Sequence, residues 1–333
     1  MADEKLKHYE DIGRNSLNQQ TWIDAYSSYL KETQNQKNNS TGTKLRSCYI
    51  DIDSVNTYGV KVPEFYRDFT DFLNEQNKII LNRDVKLFKE PEKKTKRPGN
   101  LTIHTSNEIK NTLGEMYLTS DTFAFSEPKI LSSGEWKTTH PLGAYLELCP
   151  DNTEMIAQYI YDTRTIGGVF IWPKVNICGN WISCYNNKRG VKVRNLGSYI
   201  NDRVDLTLQE IKMFYQFSKG KSDDIETIKE MNKNGYILLK GKDSECICRW
   251  LKYFKSFEKY VDFFCFKGNF VNNDYNPINI ITEQPIVQND PMVNAEFFMD
   301  EYQKMLVCKN KIEKMLKFIS QKIISRSIII ENI

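Results

Sequence analysis

The sequence predicts an α+β protein, with a small, mostly antiparallel central sheet packed by several helices and closed by a long C-terminal helix. Three observations carry that expectation. The stretch GGVFIWPKVNICGNWISCYNN (167–187) holds two runs of β-branched and aromatic residues about a tight point at Gly179-Asn180, which is hairpin chemistry. LTIHTS (101–106) and GEMYLTSDTFAF (114–125) alternate as strands do. Elsewhere apolar residues recur every three or four positions, and in 294–324 they set Phe298, Met305, Ile312, Leu316, Ile319 and Ile323 on a near-heptad helical stripe.

The elements follow in order. Residues 17–31 put Trp22, Ile23, Tyr26, Tyr29 and Leu30 on one helical face, and the polar stretch ETQNQKNNSTGTK after them reads as a loop. Residues 1–45 are therefore expected to be a helical N-terminal extension with a polar loop. Residues 46–333 are expected to be one α+β domain with a helical C-terminal cap. SCYIDID (47–53) reads as a strand with an acidic end. PEFYRDFTDFLNEQN (63–77) reads as an amphipathic helix with Pro63 in its first turn, where a missing N–H costs nothing. The charged, Pro-bounded KEPEKKTKRPGN (89–100) reads as a solvated loop.

Residues 151–162 read as a short helix. RVDLTLQEIKMFYQF (203–217) reads as another, capped by Asp205 or by a Thr207–Glu210 capping box. The stretch 243–266 reads as one helix capped by Asp243, with Ile247, Trp250, Leu251, Phe254, Phe257 and Val261 on its buried face. Residues 271–291, interrupted by prolines, read as irregular. The final SIIIENI is an apolar tail, for core packing or for docking.

A net charge of +3 over 333 residues neither demands nor excludes a polyanionic partner. No run reaches the length of about 18 to 20 apolar residues that a membrane span needs. The start, MADEKLKHYEDIGR, lacks the apolar core of a signal peptide, so a cytoplasmic protein is expected. Its eight cysteines are then free thiols. None forms a C-x-x-C pair and the chain has three histidines, so no zinc site is expected and no cofactor is identified.

Gly167-Gly168 poses the first chemical question. A phosphate loop runs from strand through a glycine turn to a helix N-terminus, where free N–H groups meet the anion. Here the glycines precede a strand, and neither a third glycine nor a Lys-Ser/Thr follows. Backbone clearance beside a neighbouring element is the reading this order supports.

The polar groups are denser further on. NNKRG (186–190) ends the second strand and NDRVD (201–205) opens a helix. Arg189 and Arg203 offer guanidinium forks for phosphate or carboxylate, and Asp202 and Asp205 are there to orient them, cap the helix or hold a metal, or the four form a structural Arg–Asp network with an N-cap. His104 is the one histidine in a strand-like pattern, as a general base, a ribose hydroxyl partner or a packed residue. LTIHTS and MYLTSD resemble the nicotinamide-binding strands of ADP-ribosyltransferases, with His104 on the first and Tyr117 or Ser120 on the second. The Glu which that family carries on a third strand has no counterpart in the pattern.

Taken together, LGEMYLTSD, TIGGVFIWP, NNKRG, INDRVDLTLQEIKMFY and FEKYVDFF resemble the ordered blocks of an uncharacterised bacterial domain-of-unknown-function family, over roughly residues 48–320. That family reads T-I-G-G, a strand ending in Pro, N-x-x-R-G, then D-R-x-D-L-T. The resemblance carries to Thr165, Gly167, Gly168, Pro173, Asn187, Arg189, Gly190, Asp202, Arg203, Asp205 and Thr207, and to His104 near a Leu-containing strand. It implies a shared fold and a shared polar cluster, not a reaction. The first 45 residues depart from it, as does Arg164, where members carry an aromatic.

The expected function is a nucleotide- or RNA-directed enzyme of toxin or phage-defence type. In that reading Arg189 and Arg203 bind phosphate, Asp202 and Asp205 orient them, and His104 moves a proton. Thr165, Gly167, Gly168, Lys174 and Asn187 form the accompanying binding set. The alternatives are a non-catalytic protein that homo-oligomerises or binds a partner through its C-terminal helix, and an NAD-dependent ADP-ribosyltransferase.

Overall fold

The computed structural model describes residues 19–37, 62–86, 88–89, 102–105, 113, 117–122, 128, 135–136, 141–163, 165–177, 180–183, 204–236, 238–240, 244–286 and 309–333. The segments 47–53, 90–100 and 287–308 lie outside them. So do Asp243, Phe298 and Met305.

The helices are α1 (Gln19–Lys37), α2 (Val62–Leu81), α3 (Pro141–Leu148), α4 (Thr153–Thr163), α5 (Val204–Ser218), α6 (Asp224–Lys233), α7 (Ser244–Tyr253), α8 (Phe257–Phe263) and α9 (Lys309–Glu331). The strands are β1 (Phe88–Lys89), β2 (Thr102–Thr105), β3 (Tyr117–Thr122), β4 (Val169–Ile177) and β5 (Asn180–Ser183). They pair in chain order as an antiparallel meander. Pro173 of β4 stands opposite Leu118 of β3, just ahead of the stretch Lys174–Ile177 that also pairs with β5, so it lies outside the doubly paired part of the strand.

The expected fold class is corrected. The protein is mostly helical, and helices, not a central sheet, organise its core. The strands are short, and among the described elements the sheet touches helices chiefly through β1 against α2 and β4 against α7. Among the residues whose burial is described, helices supply many fully buried side chains: Ile156 and Ile160 of α4, Leu208, Ile211 and Phe214 of α5, Trp250 of α7, Tyr260 of α8 and Ile323 of α9. Periodicity marks each strand locally, but which layer buries the apolar surface depends on contacts far apart in sequence.

α1 buries Ile23, Tyr26 and Leu30 of the expected stripe. It packs along α4, where the Ser27 and Thr153 hydroxyls meet at 2.8 Å. The stretch read as one helix over 243–266 is two. Lys255 turns left-handed at φ 70°, and Ser256 restarts the chain as N-cap of α8, its hydroxyl accepting from the Lys259 N–H. The break lets Phe254 pack edge-on against Trp250 (4.8 Å between centroids), Tyr260 (5.1 Å) and Phe263 (5.0 Å). Pairs of this kind are each worth about 1 kcal/mol beyond their buried area. α9 runs past the expected residue 324 and takes the tail into the helix, burying Arg326, Ser327 and Ile330.

Candidate functional site

The T-I-G-G block is a seat for α9. Ile166, Gly167 and Gly168 form one tight turn ahead of β4, and all three are buried. The Thr165 N–H and hydroxyl both donate to the Asp162 carbonyl at the end of α4, at 3.1 and 2.8 Å. The Thr165 proton is thus spoken for, so the 2.9 Å contact between Thr165 Oγ1 and Ser327 Oγ runs from the serine. Ser327 in turn accepts the Gly167 N–H at 2.9 Å. A Cβ at residue 167 would overlap the Ile323 carbonyl oxygen and Ser327 Oγ and stand 2.7 Å from the Ser327 nitrogen. A Cβ at 168 would strike the Thr163 backbone. The glycines give clearance, as their order suggests, but to a helix some 160 residues away.

Arg326 completes the seat. It is fully buried, with Nη1 donating to the Gly167 carbonyl at 2.6 Å and Nε to the Phe264 carbonyl at 2.7 Å. Phe264 is the C-cap of α8, where a cation is favoured by the helix dipole. The guanidinium carbon lies 4.5 Å from the Phe266 ring centroid. Burial lowers the Arg326 pKa to about 10, opposed by Cys265 and Tyr260, so the group stays charged at neutral pH. Beside this junction, burial raises the Asp162 carboxyl to about 6, against hydrogen bonds from Ser320 and Gln158.

The expected Arg–Asp cluster is described only in part. Asn187, Arg189, Asp202 and Arg203 lie outside the described residues. Asp205 lies in the first turn of α5, is completely buried, and accepts the Ile280 N–H at 3.1 Å. Thr207 is buried as well and lies inside α5, past its start, and Glu210 accepts the Leu238 N–H at 2.6 Å. These side chains hold the turns around α5, a task to which acceptor carboxylates at buried N–H groups are suited.

The sheet aligns the other candidates. Lys89 pairs with His104, His104 with Tyr117, Tyr117 with Lys174, and Lys174 with Ser183. One cross-strand row therefore contains a residue from each of the five strands. Directly paired positions in an antiparallel sheet are its closest cross-strand neighbours. The row reads Lys, His, Tyr, Lys, Ser: two amines, an imidazole and two hydroxyls. Trp172, two residues along β4 from Lys174, is fully buried.

Sequence reasoning missed Asp162 and Arg326, because nothing local marks a charge as buried. It also missed Tyr275, which sits left-handed at φ 57° with its hydroxyl donating to Asp262 Oδ2 and accepting from Lys267 Nζ, both at 3.0 Å.

No curated protein and no solved structure matches the chain. The model of a family of unknown function (DUF6994) matches residues 67–321, a span that holds the T-I-G-G turn, the sheet row from Lys89 to Ser183 and most of α9, and the chain belongs to that family.

Proposed function

We propose that the protein is an enzyme acting on a phosphate-bearing substrate, a nucleotide or RNA, at the Lys89–His104–Tyr117–Lys174 row. The observation that carries this reading is the register that aligns His104, Tyr117 and Lys174 on three successive strands. Lysines on both sides of the His–Tyr pair suit phosphate oxygens, and each is a point charge with three donors. His104 supplies proton transfer near neutral pH, and the Tyr117 hydroxyl is a second donor. Arg189 and Arg203 are the further phosphate ligands in this proposal. Gly167, Gly168 and Thr165 are left out of it, because they are occupied in seating α9.

A thermal-shift panel of nucleotides and short single-stranded RNA tests the binding half. A ligand at a hundredfold excess over its dissociation constant stabilises the fold by about 2.7 kcal/mol. The shift should vanish in Lys174→Ala and shrink with added salt. A panel with no ligand, or a shift that Lys174→Ala leaves intact, removes the reading.

The same register favours a second reading, ADP-ribosyl transfer from NAD, since His104 is directly opposite Tyr117. Stabilisation by NAD, lost in Tyr117→Ala, with none by RNA or by nucleotides lacking the nicotinamide, would select it.

A further inference from the structure

We propose that α9 pairs antiparallel with α9 of a second copy of this chain, about a two-fold axis at Ile324. The buried side of α9 carries Ile312, Leu316, Ile319, Ile323 and Ile330. Its outer side carries a second pattern. Lys317, Gln321, Ile324, Ile328 and Glu331 are all exposed, and their spacing is four, three, four, three. That is the repeat of a two-helix seam, in which side chains of one helix enter the gaps of another. Ile324 is 43% and Ile328 53% exposed, large values for isoleucine on an ordered helix.

The order of residues along this seam points to a second copy. Apolar positions lie in the middle and opposite charges at the ends, Lys317 seven residues before Ile324 and Glu331 seven residues after it. Antiparallel pairing about Ile324 puts Ile324 against Ile324, Gln321 near Ile328, and Lys317 against Glu331 at both ends. An isologous contact needs this self-complementarity. Neither Lys317 nor Glu331 has an ion-pair partner among the described residues, whereas Lys309 and Lys314 of the same helix are paired with Glu313 and Glu283. Parallel pairing would instead stack Lys317 on Lys317 and Glu331 on Glu331. A seam of about four turns buries less than a standard interface, so the dimer is a reversible one.

Sedimentation velocity on the full chain, from about 1 to 300 μM, reads the proposal. A concentration-dependent monomer–dimer equilibrium is expected. Ile324→Asp and Ile328→Asp should each abolish the dimer while retaining the wild-type circular dichroism and melting temperature, because both side chains point away from the core. Lys317→Glu and Glu331→Lys should each weaken the dimer at least tenfold, and the double variant should restore it. A monomer at every concentration overturns the proposal. So does a dimer indifferent to Ile324→Asp, a double variant no better than the singles, or monomeric protein that sediments with anionic phospholipid vesicles through the same isoleucines.

Discussion

The carbonyl oxygen of Gly167 accepts a 2.6 Å hydrogen bond from Nη1 of Arg326, a residue 159 positions away. That bond joins the turn after α4 to the last turns of the C-terminal helix. With Ser327 on Gly167 N–H and Thr165, both backbone polar groups of Gly167 are satisfied by α9. The block that most resembles a nucleotide loop in sequence is a docking turn in the fold.

Gly167→Ala tests the close approach. The added methyl group meets backbone atoms of α9, which cannot move without displacing the helix. A loss of about 3 kcal/mol is expected, read as a lower urea midpoint with an unchanged slope. Ser327→Ala should cost less, about 1 to 2 kcal/mol, since it leaves the Gly167 N–H without its acceptor but removes little volume.

Arg326→Ala should be among the most damaging single changes. It strands the Gly167 and Phe264 carbonyls and opens a cavity over Phe266. A loss of about 3 to 5 kcal/mol is expected from calorimetry or chemical denaturation. Arg326→Lys should recover little, because one ammonium lacks the fork that reaches both carbonyls.

Asp162 sets a pH dependence of stability. Its folded pKa is raised to about 6, above the ordinary carboxylate range, because burial disfavours the carboxylate. The fold thus favours the protonated form. The contribution of Asp162 to stability is largest below about pH 4, falls by up to about 1.4 kcal/mol per unit as pH rises towards 6, and is level above that. Asp162→Asn removes this slope. The variant should be more stable than wild type at pH 7.5 and no more stable at pH 4, as urea titrations at the two values would show.

Asp205→Ala should cost about 1 to 3 kcal/mol, because the buried Ile280 N–H loses its acceptor. Under conditions where the variant remains folded, its turnover should stay near wild type. A selective loss of turnover without loss of stability would return Asp205 to the chemistry.

Much of the helical framework was legible because helical stripes are local signals. Ile23, Tyr26 and Leu30 are buried as their spacing requires, and Pro63 lies in the first turn of α2. The antiparallel pairing of β4 with β5 was legible from their runs of β-branched and aromatic residues, with Asn180, read as part of the turn, opening β5. Three things were not. The division between α7 and α8 depends on a left-handed Lys255, and lysine carries no such signature. That helices and not the sheet organise the core depends on which surfaces meet, and periodicity does not encode that. The role of Gly167 depends on Ser327 and Arg326, whose relation to it exists only in three dimensions. Of the candidate site, His104 and Lys174 were visible as residue types, whereas their alignment through Tyr117 required the strand register.

The most direct test of the proposed function is turnover. Purified protein would be incubated with single-stranded RNA, a nucleotide mixture and NAD, and the products followed by mass spectrometry, beside His104→Ala and Lys174→Ala variants of wild-type stability. The proposal predicts consumption of RNA or a nucleotide, reduced at least a hundredfold in His104→Ala, and reduced in Lys174→Ala chiefly through a raised KM. No turnover of any substrate, or turnover that His104→Ala leaves unchanged, would contradict it.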